Sequence, residues 1–407
     1  MKQKKIFYGW IVVIASGIAL LSNGAAFYGF GVFFKPLQTE FGWSHSLTSL
    51  VQTLFYIAYG ISQFISGKLS DRYGPRPVFA GGSILLALGF ILSGRVHSVG
   101  QIIPLYIVAG FGTGTIWSTS MATVQRWFVA KRGLAVAIAS SGVGMGILIF
   151  SPLLGYLISA HGWRTTYTVF GIATAGILAS TIWFMAANPE EKGLRPYGVS
   201  ADSLGTNSTV PPDVATVRSA GQAMKSLNFY LLSIGYMFSV LPISLVAVHF
   251  IPYAIESGVT PAAAAAAMGF IGGMSVPGRI VGGVAADKLG WKKSMVLFCV
   301  IGSGTLIWLI YSRDIWMFYL FTIFFGFSHG TRVPILPGLV SHLFGTRSAG
   351  ELTGIITGVG VGLGGLGALL AGFVVDVTGT YTIAFLVASV SFVLAAILNT
   401  TLRPSDR

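Results

Sequence analysis

Apolar runs long enough to cross a bilayer as helices follow one another along almost the whole chain. Twelve can be read, with approximate cores at 8–33, 46–66, 77–94, 99–123, 133–159, 165–187, 228–253, 262–286, 294–311, 315–341, 350–374 and 381–402. They fall into two sets of six around residues 188–227, a polar stretch rich in Pro, Ser and Gly that lacks apolar periodicity. The pattern predicts an all-α membrane protein with twelve transmembrane helices: a six-helix bundle over 1–187, a partly disordered linker over 188–227, and a second six-helix bundle over 228–407.

The two halves are related. Gly67-Lys-Leu-Ser-Asp71-Arg72-Tyr-Gly74-Pro-Arg76, after the second core, recurs 216 positions later as Gly283-Val-Ala-Ala-Asp287-Lys-Leu-Gly290-Trp-Lys292. At the same offset Gly142-Val-Gly-Met-Gly146 returns as Gly358-Val-Gly-Val-Gly362. Two separated matches at one offset imply a duplication with both halves in the same orientation. In the loop motif, Gly67 and Gly74 suit tight turns and Asp71 suits a helix N-cap, with Arg72 and Arg76 at an anionic membrane surface.

At 54% hydrophobic and 9% charged, the composition is that of an integral membrane protein. The net charge of +13 would suit a nucleic-acid partner, but its distribution argues for topology instead. With both termini placed in the cytoplasm, 19 of the 25 Lys and Arg fall on cytoplasmic segments, four (Lys35, Arg95, Arg164, Arg313) on outer loops, and two (Arg279, Arg332) inside helices. Lys2, Lys4 and Lys5 precede an apolar stretch too long for a signal-peptide core, so no cleavable signal is expected. The lone Cys299 allows no internal disulfide. No Cys/His metal spacing, nucleophile–base set or phosphate-binding glycine loop is present, so neither an enzyme, a metal, a cofactor nor ATP drive is expected. The linker is too featureless for a signalling receptor.

One charge stands out. Between Ala262 and Ala286, Arg279 is the single ionisable side chain. An arginine at membrane depth costs at least a few kcal/mol on insertion scales and cannot escape by deprotonating. It therefore needs a wet cavity, a helix end, a buried acid or a bound anion, and a guanidinium fork suits a carboxylate. Gly272, Gly273, Gly278, Gly282 and Gly283 would leave one flank of its helix open to close neighbours. Arg332, in Gly326-Phe-Ser-His329-Gly-Thr-Arg332-Val-Pro334, lies at the same depth, about 25 Å from the start of its core. It either faces the same cavity or snorkels to the membrane surface, where Pro334 and Pro337 would open the helix.

Acids are scarce, and the membrane-embedded ones (Glu256, Glu351, Asp376) lie near helix ends. His249 is then the best intrahelical proton carrier, since an unperturbed imidazole switches near pH ~6.5; simple hydrogen bonding is the alternative. Glu256 shares its face if the helix continues through Pro252. His329 is a second choice. From the first half, Asn23, Tyr28, Gln52, Tyr56, Trp117, Thr119, Ser140 and Ser141 are candidates to line a cavity.

The repeated loop resembles the signature of the major facilitator superfamily, and the likeness covers the whole chain. Arg126-Trp-Phe-Val-Ala-Lys131-Arg132-Gly133-Leu134-Ala135 through Gly142 is similar to the segment between the fourth and fifth helices in monocarboxylate transporters and their relatives, the bacterial oxalate–formate exchangers. Val248-His249-Phe-Ile-Pro252-Tyr253, Arg279, Phe344-Gly-Thr-Arg347 and Asp376-Val-Thr-Gly-Thr-Tyr381 resemble the same group. The resemblance implies import or exchange of small carboxylates by alternating access, and the expectation is a monomeric carrier in the cell membrane that moves monocarboxylates such as lactate or pyruvate with a proton. The resemblance places the carboxylate on the helix-eight arginine, and the residues singled out above, Tyr28, Trp117, Thr119, His329 and Arg332, would line the site around it. His249 and Glu256 would couple the proton, and Asp71, Arg72, Asp287, Lys131 and Arg132 would belong to gating loops. The alternative is an oxalate–formate-like exchanger of dicarboxylate for monocarboxylate. The chain departs from the group at Ser275, where animal members carry an aspartate, and at Tyr28, where they carry a lysine. It also lacks the exchanger's lysine between Gly354 and Gly372.

Overall fold

A computed structural model describes residues 7–198, 220–345 and 349–402. The spans are α1 (Tyr8–Phe41), α2 (His45–Tyr73), α3 (Pro75–Ser93) and α4 (Val99–Trp127); α5 and α6 share Arg132–Ile182, divided at Gly162. Then come α7 (Leu227–Glu256), α8 (Pro261–Leu289), α9 (Trp291–Ile310), α10 (Ile315–Phe344), α11 (Ala349–Thr378) and α12 (Tyr381–Thr401). By length and apolarity alone, nine helices among the described residues could cross a membrane. One of the nine serves as both α5 and α6, and the two left out, α2 and α10, are long but more polar. Both carry buried polar side chains such as Gln52, Ser62 and Arg332, which face other helices and not lipid.

Helix starts follow local chemistry. Ser44, Ser226 and Thr260 each accept a hydrogen bond from the backbone N–H three residues on, capping α2, α7 and α8, and Pro261 follows its cap at the first helical position. The repeated loop is built alike in both halves, with the expected turn at Gly74 but not at Gly67. Gly67 and Gly283 sit inside α2 and α8, and the turns are made by Gly74 (φ +82°) and Gly290 (φ +87°). Asp71 caps no helix; its Oδ1 accepts from Arg126 Nη2 at 2.7 Å, tying the end of α2 to the end of α4. Arg76 donates through Nε to the Met185 carbonyl.

Two spans are broken where the sequence pattern showed continuous cores. α1 runs on to Phe41 but breaks at Gly29, and α11 breaks at Gly365. A break frees backbone carbonyls, which need partners at membrane depth. Gln52 Nε2 and Tyr56 Oη both donate to the Phe27 carbonyl, at 3.2 and 2.9 Å. Around Gly365, Ser244 donates to the Gly364 carbonyl and Thr53 to that of Gly365. The sixth core ends at Ile182, short of the expected 187. Of the expected linker, 199–219 lie outside the described residues. Its first part folds back, with the Tyr197 N–H donating to the Trp127 carbonyl at 2.9 Å and its ring against Phe7, Trp10 and Phe128.

The twelve helices form two six-helix bundles that meet along α2 against α11, α5 against α8, and the latter part of α1 against α7. Small residues make these approaches possible. A Cβ on Gly144 would lie 2.6 Å from the Gly272 carbonyl oxygen, and one on Gly60 would lie 2.4 Å from that of Gly358. Within the second bundle Gly330 is tighter still, 2.1 Å from the Ser275 oxygen, whereas a Cβ on Gly283 would meet nothing within 4 Å. Gly330→Ala should therefore force α8 and α10 apart and destabilise by about 1–3 kcal/mol, while Gly283→Ala should leave stability unchanged or slightly higher. Thermal unfolding of both variants in detergent checks this; equal midpoints would show that the close approach is not required.

Candidate functional site

α8 meets two neighbours on different flanks. Gly272 faces Gly144 and Ile147 of α5 in the other bundle, whereas Gly278 and Gly282 face the backbone of α10 at Phe327 and Thr331. The glycine-rich run thus serves two contacts rather than one bare flank. Ser275, one turn before Arg279, touches Gly144 across the bundle boundary. This places Arg279 at that boundary, 2% exposed.

Its guanidinium is not paired. Nε and Nη1 are buried without a hydrogen-bond partner, and the ion pairs among the described residues all lie elsewhere. Tyr28, 3% exposed, comes within electrostatic reach of Arg279 from the opposite bundle. The Tyr28 hydroxyl and His329 Nε2 hydrogen-bond at 2.9 Å, joining α1 to α10, while His329 Nδ1 is buried and unpartnered. His329 lies within the field of both arginines. Arg279, Tyr28 and His329 therefore converge between the bundles, with donors left over.

Arg332 takes neither of the two expected positions cleanly. It is 4% exposed and does not snorkel, and α10 stays helical through Pro334 and Pro337. Its Nε donates to the Ser328 carbonyl at 3.2 Å and its Nη1 to that of Ser239 at 3.3 Å, and its Cζ sits 4.5 Å from the Phe392 ring centroid. These partners belong to its own bundle. Only Nη2 is buried without one.

The first-bundle candidates separate in the same way. Asn23 donates to the Thr113 carbonyl, Gln52 and Tyr56 to Phe27, and Ser140 and Ser141 to Ala137, so each is bound to backbone. Thr119 Oγ1 is buried and unpartnered. Trp117, like Phe27 and Tyr236, packs against the buried cluster of Tyr59, Val240 and Val361, an apolar plug drawn from both bundles. His249 is fully buried against Phe34 and Tyr381. Its Nε2 lies 2.9 Å from the Ala368 carbonyl, which only accepts, so Nε2 carries the proton toward the second segment of α11, with Ser49 Oγ of the other bundle 3.0 Å away. The loop residues stand apart from this centre. Arg72 lies over Tyr73, Lys131 over Tyr197, Arg132 donates to the Phe128 carbonyl, and Asp287 is exposed. Arg347 lies outside the described residues.

A second group of charges joins the bundles at the end remote from the termini, and sequence reasoning missed most of it. Lys35 Nζ pairs with Glu256 Oε1, His45 Nε2 lies 3.5 Å from the same oxygen, and His45 Nδ1 lies 3.1 Å from Asp376 Oδ1. α7 continues through Pro252, which brings Glu256 to this end. The signal available was charges of opposite sign at helix ends in opposite halves; no local motif marks them. Among the described residues, cross-bundle hydrogen bonds and ion pairs occupy this end and the middle of the molecule. Two recesses of about 240 and 320 Å³ are lined by residues such as Leu69, Tyr73 and Leu85 or Trp308, Leu320 and Phe324, and neither includes Arg279.

Comparison with known proteins agrees with this architecture. The family model described as Major Facilitator Superfamily matches residues 16–366 and 232–407. Monocarboxylate transporter 11 of Mus musculus is 28% identical over 404 residues, covering 95% of this chain and 86% of the relative. An oxalate:formate antiporter of Oxalobacter formigenes is 26% identical over 409 residues, with 97% and 91% covered. Among solved structures, a D-xylose-proton symporter superposes with a TM-score of 0.76 at 14% identity and 98% coverage of both chains. A bacterial homolog of the human lysosomal transporter Spinster, inward-facing and occupied, superposes with a TM-score of 0.74 at 14% identity and 97% coverage of both. Family match, duplicated halves and twelve-helix arrangement coincide: the chain belongs to the major facilitator superfamily and is a multi-pass membrane transporter.

Proposed function

We propose that this transporter carries small monocarboxylates of the lactate and pyruvate kind, together with a proton, by alternating access. In this reading the end bearing the termini faces the cytoplasm, the membrane is the cell membrane, and the carrier works as a monomer. The observation that carries it is the buried, unpaired guanidinium of Arg279 at the bundle boundary. An unsatisfied buried donor costs ~1–3 kcal/mol, and more when charged. A carboxylate bound there would supply the missing acceptors and bring the missing negative charge. Tyr28 and His329, from opposite bundles, would offer hydroxyl and imidazole to the rest of a small oxygenated acid. The names of the curated relatives support the substrate class.

The oxalate–formate reading draws on one observation, the unpartnered Nη2 of Arg332. Against it, Arg332 already has two carbonyls and an aromatic face within its own bundle. A second anionic group on the substrate would have to compete with these.

Arg279→Lys keeps the charge and loses the fork. Lactate uptake into proteoliposomes should fall by at least about tenfold, equivalent to ~1.4 kcal/mol, with insertion unchanged. Wild-type affinity in that variant would remove Arg279 from the site. Arg332→Gln should leave lactate affinity within about threefold, and oxalate or malonate should compete weakly in both proteins. Strong competition by either diacid that disappears in Arg332→Gln would instead establish the exchanger.

A further inference from the structure

The charged cluster at the end remote from the termini is formed entirely across the bundle boundary. Lys35 of α1 and His45 of α2 come from the first bundle, Glu256 of α7 and Asp376 of α11 from the second. His45 stands between the two carboxylates, with Nε2 toward Glu256 and Nδ1 toward Asp376. The groups facing its ring are Lys35, Glu256, Asp376 and the Tyr381 ring, with Phe34 beside it and His249 further in. None of the four side chains of the cluster is sealed off: Lys35, His45, Asp376 and Glu256 are 27, 21, 23 and 37% exposed.

Charge balance singles out the imidazole. Two carboxylates face one lysine, so the cluster carries one net negative charge when His45 is neutral and none when it is protonated. Asp376 also has contacts that do not depend on pH. It accepts from the backbone N–H groups of His45 and Ser46, each at 2.8 Å, and from Ser46 Oγ at 2.5 Å, a second-bundle carboxylate seated on the N-terminus of a first-bundle helix. The closure therefore has a constant part and a titrating part.

We propose that His45 is a proton-binding site whose occupancy closes this face of the transporter. When the bundles part here, His45 leaves both carboxylates and returns to water, where an imidazole titrates near pH ~6.5. Closure places two anions against it, so the closed form holds the proton more tightly than the open form. The sign follows from linkage. The added closure is fully present below the open-state value and is lost as pH rises through the closed-state one. If this face is the outer one, as the proposed orientation has it, external acid drives the carrier toward the inward-facing state, loading a proton at the step that seals substrate inside. The inference rests on alternating access, but not on the identity of the substrate.

The test needs no substrate. Cysteines at the exposed positions Thr39 and Ala262, in a Cys299→Ser background, carry spin labels on the two bundles of the full chain in nanodiscs. Between pH 5.5 and 8.5 the ratio of short- to long-distance populations should fall at least about threefold, the scale of a partly exposed ion pair. His45→Gln should hold the ratio at its high-pH value throughout, and His45→Arg at its low-pH value. A pH response undiminished in both variants would overturn the proposal, as would a single unchanging distance in the native chain. Loss of lactate transport would bear on the substrate reading alone and leave this measurement intact.

Discussion

A guanidinium without an acceptor, held where two helical bundles meet, is the constraint around which this molecule is arranged. Arg279 is 2% exposed and its Nε and Nη1 are unsatisfied, whereas Asn23, Gln52, Tyr56 and Arg332 each donate to a backbone carbonyl. At ~1–3 kcal/mol for each unsatisfied donor, such a residue is tolerated at membrane depth when another molecule supplies what the protein withholds. Arg332 shows the contrast within the same bundle. Its two carbonyls and the Phe392 face make it a packed structural cation with one spare donor.

The rest of the fold supplies the conditions for that arrangement. Close helix contacts through Gly144, Gly272 and Gly330 leave little room for water around α8, which sharpens the field of the charge. α1 and α11 are interrupted at Gly29 and Gly365 beside the centre, and Gln52, Tyr56, Thr53 and Ser244 donate to carbonyls at those interruptions. Of the polar residues that look like cavity liners in a sequence, Gln52 and Tyr56 support irregular backbone, and Asn23, Ser140 and Ser141 bond to carbonyls within regular helices. What remains available is small: Tyr28 and His329, joined across the boundary, the Thr119 hydroxyl, and the unpaired edges of the arginines.

Much of the fold was legible because a bilayer imposes simple rules. Run length gave the spans, the duplicated loop gave two equivalent halves, and a lone charge among apolar residues gave Arg279. The helix breaks were not legible, since glycine is so frequent here that Gly29 and Gly365 look like any packing glycine. Asp71 looked like a cap because local spacing allows one, yet a tertiary partner, Arg126, outcompeted the helix end. The group at Lys35, His45, Glu256 and Asp376 was visible only as scattered terminal charges. Its meaning depends on α2 lying against α11 and α1 against α7, and no pattern within one segment encodes that.

The central claim is that Arg279 receives the substrate carboxylate. Magic-angle-spinning NMR measures it directly, through the dipolar coupling between lactate labelled with ¹³C at its carboxyl carbon and ¹⁵N-labelled arginine side chains in the reconstituted transporter. The account predicts a guanidinium nitrogen within roughly 4 Å of the carboxyl carbon, the range of a charge-assisted contact, and disappearance of that coupling in Arg279→Lys. A coupling that survives the substitution unchanged would contradict it.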